Sequence, residues 1–199
     1  MMRIILASAS PRRREILKSV GIDFEVITSE VDENIEEMMP YDYVKELSKL
    51  KARAVSLKLK NEMDLGDTII IGADTVVYHN GRILTKPADK EDAYRMISEL
   101  SGNTHQVYTG VTLIKGDETV SFSVKTDVNV YALSEETIRA YINTSEPYDK
   151  AGGYGIQGLF GAYIKGIEGD YLNVVGLPVS RVVYELNKFG YKIDYERLD

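Results

Sequence analysis

Cysteine is absent from the 199 residues, which excludes disulfides, thiolate catalysis and cysteine-ligated zinc. Histidine is almost absent. His79 and His105 are the only two, in separate segments, so a histidine-rich metal centre is impossible and a Ser-His hydrolase is disfavoured on count alone. A basic excess is also missing. The net charge is −7, whereas a broad nucleic-acid-binding face needs a surplus of Lys and Arg, so no nucleic-acid partner is expected. No apolar run approaches the length of a membrane span, and the first residues carry no apolar stretch with a cleavage site. The expectations are therefore no membrane partner and a cytoplasmic location. Internal repeats, linkers and low-complexity tracts are missing too. The length suits one domain, or two lobes sharing a sheet, with a properly buried core.

What is present reads as alternating strands and helices. Ile4-Ile5-Leu6 is a short buried strand, and Ser10 followed by Pro11 is an N-cap and first helical residue. Ile16, Leu17 and Val20 form that helix's inward face, and Gly21 ends it. A strand at Phe24 to Ile27, an acidic loop at Glu30 to Glu37 and a helix at Tyr41 to Leu59 follow. Thr68 to Gly72 is a continuous apolar strand, with Asp74 at its end and the apolar pattern resuming to His79. Asn80-Gly81 between apolar runs predicts a hairpin that pairs His79 with Arg82, Val77 with Leu84 and Thr75 with Lys86. Asp89 caps a helix to Leu100. Two long alternating strands, Gln106 to Ile114 and Thr119 to Tyr131, come next, then a helix capped by Ser134 through Ile142. Gly152 to Gly169 reads as loop, and Pro178 starts the last helix. Without regular βαβ alternation, the pattern argues for an α/β protein on a mixed sheet rather than a doubly wound one.

Five features could carry chemistry, the first of them toward an anion. Ser8 to Arg14 lies where a strand delivers the chain to a helix start, whose free amides and dipole favour negative charge. Three successive arginines there oppose the dipole, a local cost that makes sense if an anion sits among them. Planar guanidinium forks from Arg12 and Arg13 suit phosphate oxygens, and the serine hydroxyls can donate to them. Asp74, on a strand too apolar to be exposed, needs a cation, a metal or a hydrogen-bond network, or else makes a turn. Small neighbours, Gly72 and Ala73, leave room for a ligand. Asp32 and Glu33 are either an ordinary acidic surface loop or oxygen ligands of the kind Mg²⁺ or Mn²⁺ takes. Lys51 is one of several helix lysines. Gln157, in a glycine-rich loop, offers the donor and acceptor that a base edge requires.

Nine stretches in order resemble the Maf family of nucleoside triphosphate pyrophosphatases, related to the Ham1 or inosine-triphosphatase fold. They are Leu6-Ala7-Ser8-Ala9-Ser10-Pro11-Arg12-Arg13, Asp32-Glu33, Lys51-Ala52, Gly72-Ala73-Asp74-Thr75, Lys86-Pro87, Leu100-Ser101-Gly102, Asp149-Lys150-Ala151-Gly152, Tyr154-Gly155-Ile156-Gln157-Gly158 and Val175-Gly176-Leu177-Pro178. The resemblance implies a single two-lobed domain over residues 1–199, with an elongated mixed sheet and two α/β lobes flanking a central cleft. It implies hydrolysis of a nucleoside triphosphate to the monophosphate and pyrophosphate with a divalent cation, Mg²⁺ or Mn²⁺. The residue matching Asp74 is the family's proton acceptor. Those matching Arg12, Thr75 and Gln157 mark the branch that prefers dTTP and UTP, rather than the 7-methyl-GTP branch.

On that resemblance, water activated by Asp74 and the metal attacks the α-phosphorus in line. Ser8, Arg12, Arg13, Lys51 and Lys86 are the expected phosphate ligands, Glu33 and Asp74 the expected metal ligands, and Thr75 and Gln157 the contacts to base or sugar. A non-enzymatic regulator of septum formation is the rival reading that the family's name suggests. The fourteen tyrosines suit a homodimer interface or ordinary core and surface equally. A modified or damaged nucleotide stays open as the physiological substrate.

Overall fold

A computed structural model of the chain describes residues 2–28, 30–36, 38–61 and 65–195. Glu37, the last residue of the acidic loop read from the sequence, lies outside them. The elements are β1 (Arg3–Leu6), α1 (Pro11–Ser19), β2 (Glu25–Val26), α2 (Pro40–Lys60), β3 (Thr68–His79), β4 (Arg82–Leu84) and α3 (Lys90–Leu100). Then come β5 (Thr104–Lys115), β6 (Glu118–Val130), α4 (Glu135–Ile142), three short 3₁₀ turns, β7 (Ile164–Glu168), α5 (Tyr171–Val175) and α6 (Val179–Lys188). The seven strands form one sheet in the order β2-β1-β3-β5-β6-β7, with β4 paired to β3 off that path. β1 runs parallel to both β2 and β3, whereas β4 and β7 pair antiparallel with β3 and β6. The sheet is therefore mixed, as the irregular alternation of elements predicts.

Local chemistry sets the helix limits. Pro11 and Pro40 occupy first-turn positions where the missing N–H costs nothing. Asp89 accepts the Asp92 amide at 2.8 Å and Ser134 accepts the Thr137 amide at 3.1 Å, so both expected side-chain caps form. At α1 the expected Ser10 cap is a cap by position only, because its hydroxyl makes no capping bond. The hairpin is the one expected: Asn80 and Gly81 take positive φ of 47° and 78°, and His79 pairs with Arg82 and Val77 with Leu84.

Two compact units divide the chain. The first comprises Met1–Asp74, Thr109–Val124 and Gly176–Asp199. Part of its core is Ile5, Ala7, Ala52, Val55, Leu59 and Ile70, where α2 lies on one face of β1 and β3. A hydroxyl chain, buried at Ser48 and Thr112, supports that packing: Ser48 Oγ is 2.7 Å from Thr112 Oγ1, which is 2.8 Å from Oγ of the exposed Ser121.

The second unit comprises Thr75–Tyr108 and Lys125–Val175. Its core joins the inward stripe of α3 (Ala93, Met96, Ile97, Leu100) to Val77, Val107, Val128, Val130, Ile138, Tyr154 and Phe160. Residues 152–169, read as loop from the sequence, contain β7 as well as 3₁₀ turns. A bulge explains the missed strand. Asn129 pairs with Gly166 and Val130 with Ile164, so Lys165 is skipped, and Ile164 and Ile167, three apart, both pack against the core. The period-two signal is thereby lost.

Candidate active site

Asp74 lies in the middle of β3, which continues unbroken to His79, and so not at a strand end as expected from the sequence. Its charge is matched across the sheet face, and no turn is required to satisfy it. Gly72 and Asp74 share a strand face, and Gly72 lets α2 approach closely. A Cβ there would stand 2.2 Å from the Ser48 carbonyl oxygen and 2.9 Å from Ala52 Cβ. Lys51, lying between those two helix residues in sequence, is carried onto the carboxylate. Its Nζ donates to Asp74 Oδ1 at 2.6 Å and lies 3.1 Å from Glu33 Oε1. The Lys51 side chain is only 17% exposed, which replaces the solvated helix face of the sequence reading with a half-buried ammonium between two carboxylates.

The start of α1 is tied to the same strand. Arg13 is buried, and its Nε donates to the Gly176 carbonyl at 2.9 Å. Its Nη1 donates to Ser8 Oγ at 2.8 Å and to the Ala73 carbonyl, one residue before Asp74, at 2.9 Å. The Ser8 hydroxyl also accepts the Ser10 amide at 3.3 Å. Burial holds the Arg13 guanidinium below its ordinary pKa; Asp74 opposes that shift, the neighbouring Arg12 charge adds to it and Glu33 opposes it. Thus Ser8, Arg12, Arg13, Glu33, Lys51 and Asp74 occupy one electrostatic neighbourhood within the first unit. Asp32 accepts the Asn34 amide at 2.9 Å, a bond local to its own loop.

Tyr43 belongs there too, and the sequence reading did not single it out. Its phenol is pushed up in pKa by burial and by the charges of Asp74 and Glu33. The available signal was its position on α2, eight residues before Lys51 and so near the same helix face.

Thr75, Lys86 and Gln157 fall in the second unit. Thr75 follows Asp74 on the opposite face of β3. The expected ladder pair of Thr75 with Lys86 does not form, because β4 ends at Leu84 and the Thr85 carbonyl accepts the Gly152 amide at 3.0 Å. Lys86 is exposed just beyond. Gln157 is exposed on a turn closed by the Gly158 amide donating to the Gly155 carbonyl at 3.1 Å.

Two carboxylates brought to one cationic nitrogen form an all-oxygen donor pair, which suits a hard divalent cation completing its shell with water and phosphate oxygens. Among the described residues, no group of three or more His, Cys, Asp or Glu could hold a metal on its own, and such a cation does not require one. No helix among the described residues is long and apolar enough to cross a membrane.

Residues 3–189 match the family model described as Maf-like protein. A dTTP/UTP pyrophosphatase of Agathobacter rectalis is 50% identical over 202 residues, covering 96% of this chain and 98% of that protein. One from Bacillus anthracis is 48% identical over 196 residues, covering 98% of this chain and all of its own length. Among solved structures, the Staphylococcus aureus Ham1 protein superposes with a TM-score of 0.45 at 15% identity, over 64% of this chain and 71% of its own.

Proposed function

The chain belongs to the Maf-like protein family, and from that premise we propose that it is a pyrophosphatase hydrolysing dTTP and UTP to the nucleoside monophosphate and pyrophosphate. Support for the substrate comes from relatives of nearly equal length that carry that name. Support for the chemistry comes chiefly from one observation: a mostly buried carboxylate, Asp74, held at 2.6 Å by a lysine beside a helix start rich in arginine. The substrate is a cytoplasmic metabolite, and the cytoplasm is where we place the enzyme.

In this reading Asp74 accepts the proton of the water that attacks the α-phosphorus, while pyrophosphate leaves on the opposite side. Lys51, paired with Asp74 before substrate arrives, turns its ammonium to the phosphate oxygens. Arg12 and Lys86 neutralise further oxygens. Ser8 and Arg13 define the anion cradle, with Arg13 holding the backbone beside Asp74 through Ala73. Thr75 and Gln157 contact base or sugar. Glu33 and Asp74 would hold a divalent cation, Mg²⁺ or Mn²⁺. Such a cation, when bound, spreads the charge that develops on the phosphate oxygens.

The test is pyrophosphate release from a panel of pyrimidine and purine triphosphates, 7-methyl-GTP included, with Mg²⁺, with Mn²⁺ and with chelator. The expected result is release from dTTP and UTP ahead of the purines, lost in chelator. No hydrolysis of any triphosphate with metal present would defeat the proposal, and a preference for 7-methyl-GTP would defeat its substrate assignment.

A further inference from the structure

Glu146 opens a 3₁₀ turn at Glu146–Asp149, in a stretch to which no role has been given so far. Its carboxylate reaches thirteen and fourteen residues along the sequence, to the backbone that follows Gln157. Oε2 accepts the Leu159 amide at 2.7 Å, and Oε1 accepts the Phe160 amide at 3.2 Å and the Tyr141 hydroxyl at 3.1 Å. These amides begin the 3₁₀ turn Leu159–Tyr163, so the carboxylate serves donors that have no partner inside that turn. Gly158 lies between Gln157 and these amides. A Cβ on Gly158 would stand 2.4 Å from the Glu146 carboxylate carbon, so only glycine lets the carboxylate sit this close to the turn.

The brace is itself fixed from behind. Lys150 Nζ donates to the Glu146 carbonyl at 2.9 Å, and the buried Tyr141 hydroxyl shares its one proton between Glu146 and the Gly153 carbonyl, the latter at 3.1 Å. Phe160, fully buried, packs on Tyr141 and Tyr154 with ring centroids 5.1 and 4.9 Å away. Gln157 is exposed and its turn has one internal backbone bond, Gly158 to Gly155. The backbone that carries its side chain is therefore placed by what holds residues 158–160, and Glu146 bonds to two of their amides.

We infer that Glu146 is a positioning residue for nucleotide choice: its carboxylate holds the turn that presents Gln157 to the base. The inference rests on the proposed reading of Gln157 as a base contact. A carboxylate accepting two backbone amides and a phenol makes charge-assisted bonds, stronger than neutral ones. Releasing them lets the turn sample other orientations, so the wrong bases gain relative to the right one.

Two measurements test it. The first is amide hydrogen exchange on Glu146→Ala and Glu146→Gln proteins whose circular dichroism matches the parent. Faster exchange confined to residues 155–160, larger for alanine than for glutamine, is expected. Unchanged exchange there overturns the brace, whatever the protein's activity. The second is the ratio of kcat/KM for dTTP over dGTP in Glu146→Ala, Gln157→Ala and the double variant. Glu146→Ala should lower the ratio about tenfold, mainly through KM for dTTP, with glutamine restoring part of it. The double variant should be no worse than Gln157→Ala, since both act through one contact. Additive losses, or a ratio unchanged in Glu146→Ala alone, would overturn the positioning role. A ratio unchanged in Gln157→Ala removes the base-contact reading, and the positioning role with it, while the exchange result still reports on the brace.

Discussion

The surroundings of Asp74 and those of Gln157 are held by opposite means. Asp74 sits inside a twelve-residue strand, with its charge matched by Lys51 and its neighbour Ala73 gripped by Arg13. Regular backbone fixes its position, and side chains tune its charge. Gln157 sits on a turn outside any strand or helix, and a side chain, Glu146, fixes the backbone that follows it. A group that must accept a proton benefits from a rigid, mostly dry setting, whereas a group that reads a base edge needs an exposed side chain on a placed backbone. Rigidity is thus built into the first by secondary structure and into the second by a handful of bonds. Damage should follow the same division: chemistry and stability at Asp74, selectivity at Gln157.

Asp74→Asn should break the comparison most sharply. As the general base it is expected to lose about 10²- to 10⁴-fold in kcat with the KM for dTTP little changed. Steady-state kinetics on the folded variant check this, and selectivity among bases should survive.

Arg13 and Arg12 should separate next. Arg13→Lys cannot serve three protein acceptors lying in different directions. It should lose about 1–3 kcal/mol of stability in urea unfolding, together with activity. Arg12→Ala should instead raise KM about 10- to 100-fold, read by steady-state kinetics on the folded variant. Unchanged stability in Arg13→Lys would contradict the structural role of Arg13.

Gly72→Ala probes the same region through packing alone. A Cβ 2.2 Å from the Ser48 carbonyl must push α2 away from β3, costing about 1–3 kcal/mol and lowering activity by moving Lys51 off Asp74. A variant of unchanged melting temperature and activity would show that the helix is not held where the strand needs it.

The effect that is smallest at neutral pH is an acid one, in the second unit. His105 is fully buried, and burial drives its pKa down to about 3 from an ordinary 6.5, with the charge of His79 adding to the shift and Asp127 opposing it. The unfolded chain binds a proton near pH 6.5 that the folded chain refuses until near pH 3. Stability is therefore complete above the unfolded value and falls as pH drops from 6.5 towards 3. Thermal melts over that interval should show a shallower fall in His105→Gln, which keeps a partner for the Tyr154 hydroxyl now 2.7 Å from Nε2.

The features legible in the sequence are those set by neighbours along the chain. Asn80-Gly81 predicts both the hairpin and its register, and Asp89 and Ser134 predict their helix starts, because turn and cap chemistry act over a few residues. The features that escaped depend on partners distant in sequence. Lys51 looks like any helix lysine until Gly72 brings α2 onto β3. Asp74 looks like the end of a strand because its counter-charge is twenty-three residues away. β7 hides behind a bulge that breaks its alternation. Glu146 carries no motif signal because it acts on backbone amides, which have no residue identity. The resemblance to a family supplied the order of the site residues and their expected roles, and the geometry supplied which of them touch.

Hydrolysis of dTTP in water enriched in heavy oxygen, by the parent and by Asp74→Asn, tests the central claim most directly. The account predicts label in dTMP, none in pyrophosphate, and a rate that collapses in the variant. Label in pyrophosphate, release of orthophosphate in its place, or parental turnover by a folded Asp74→Asn protein would contradict it.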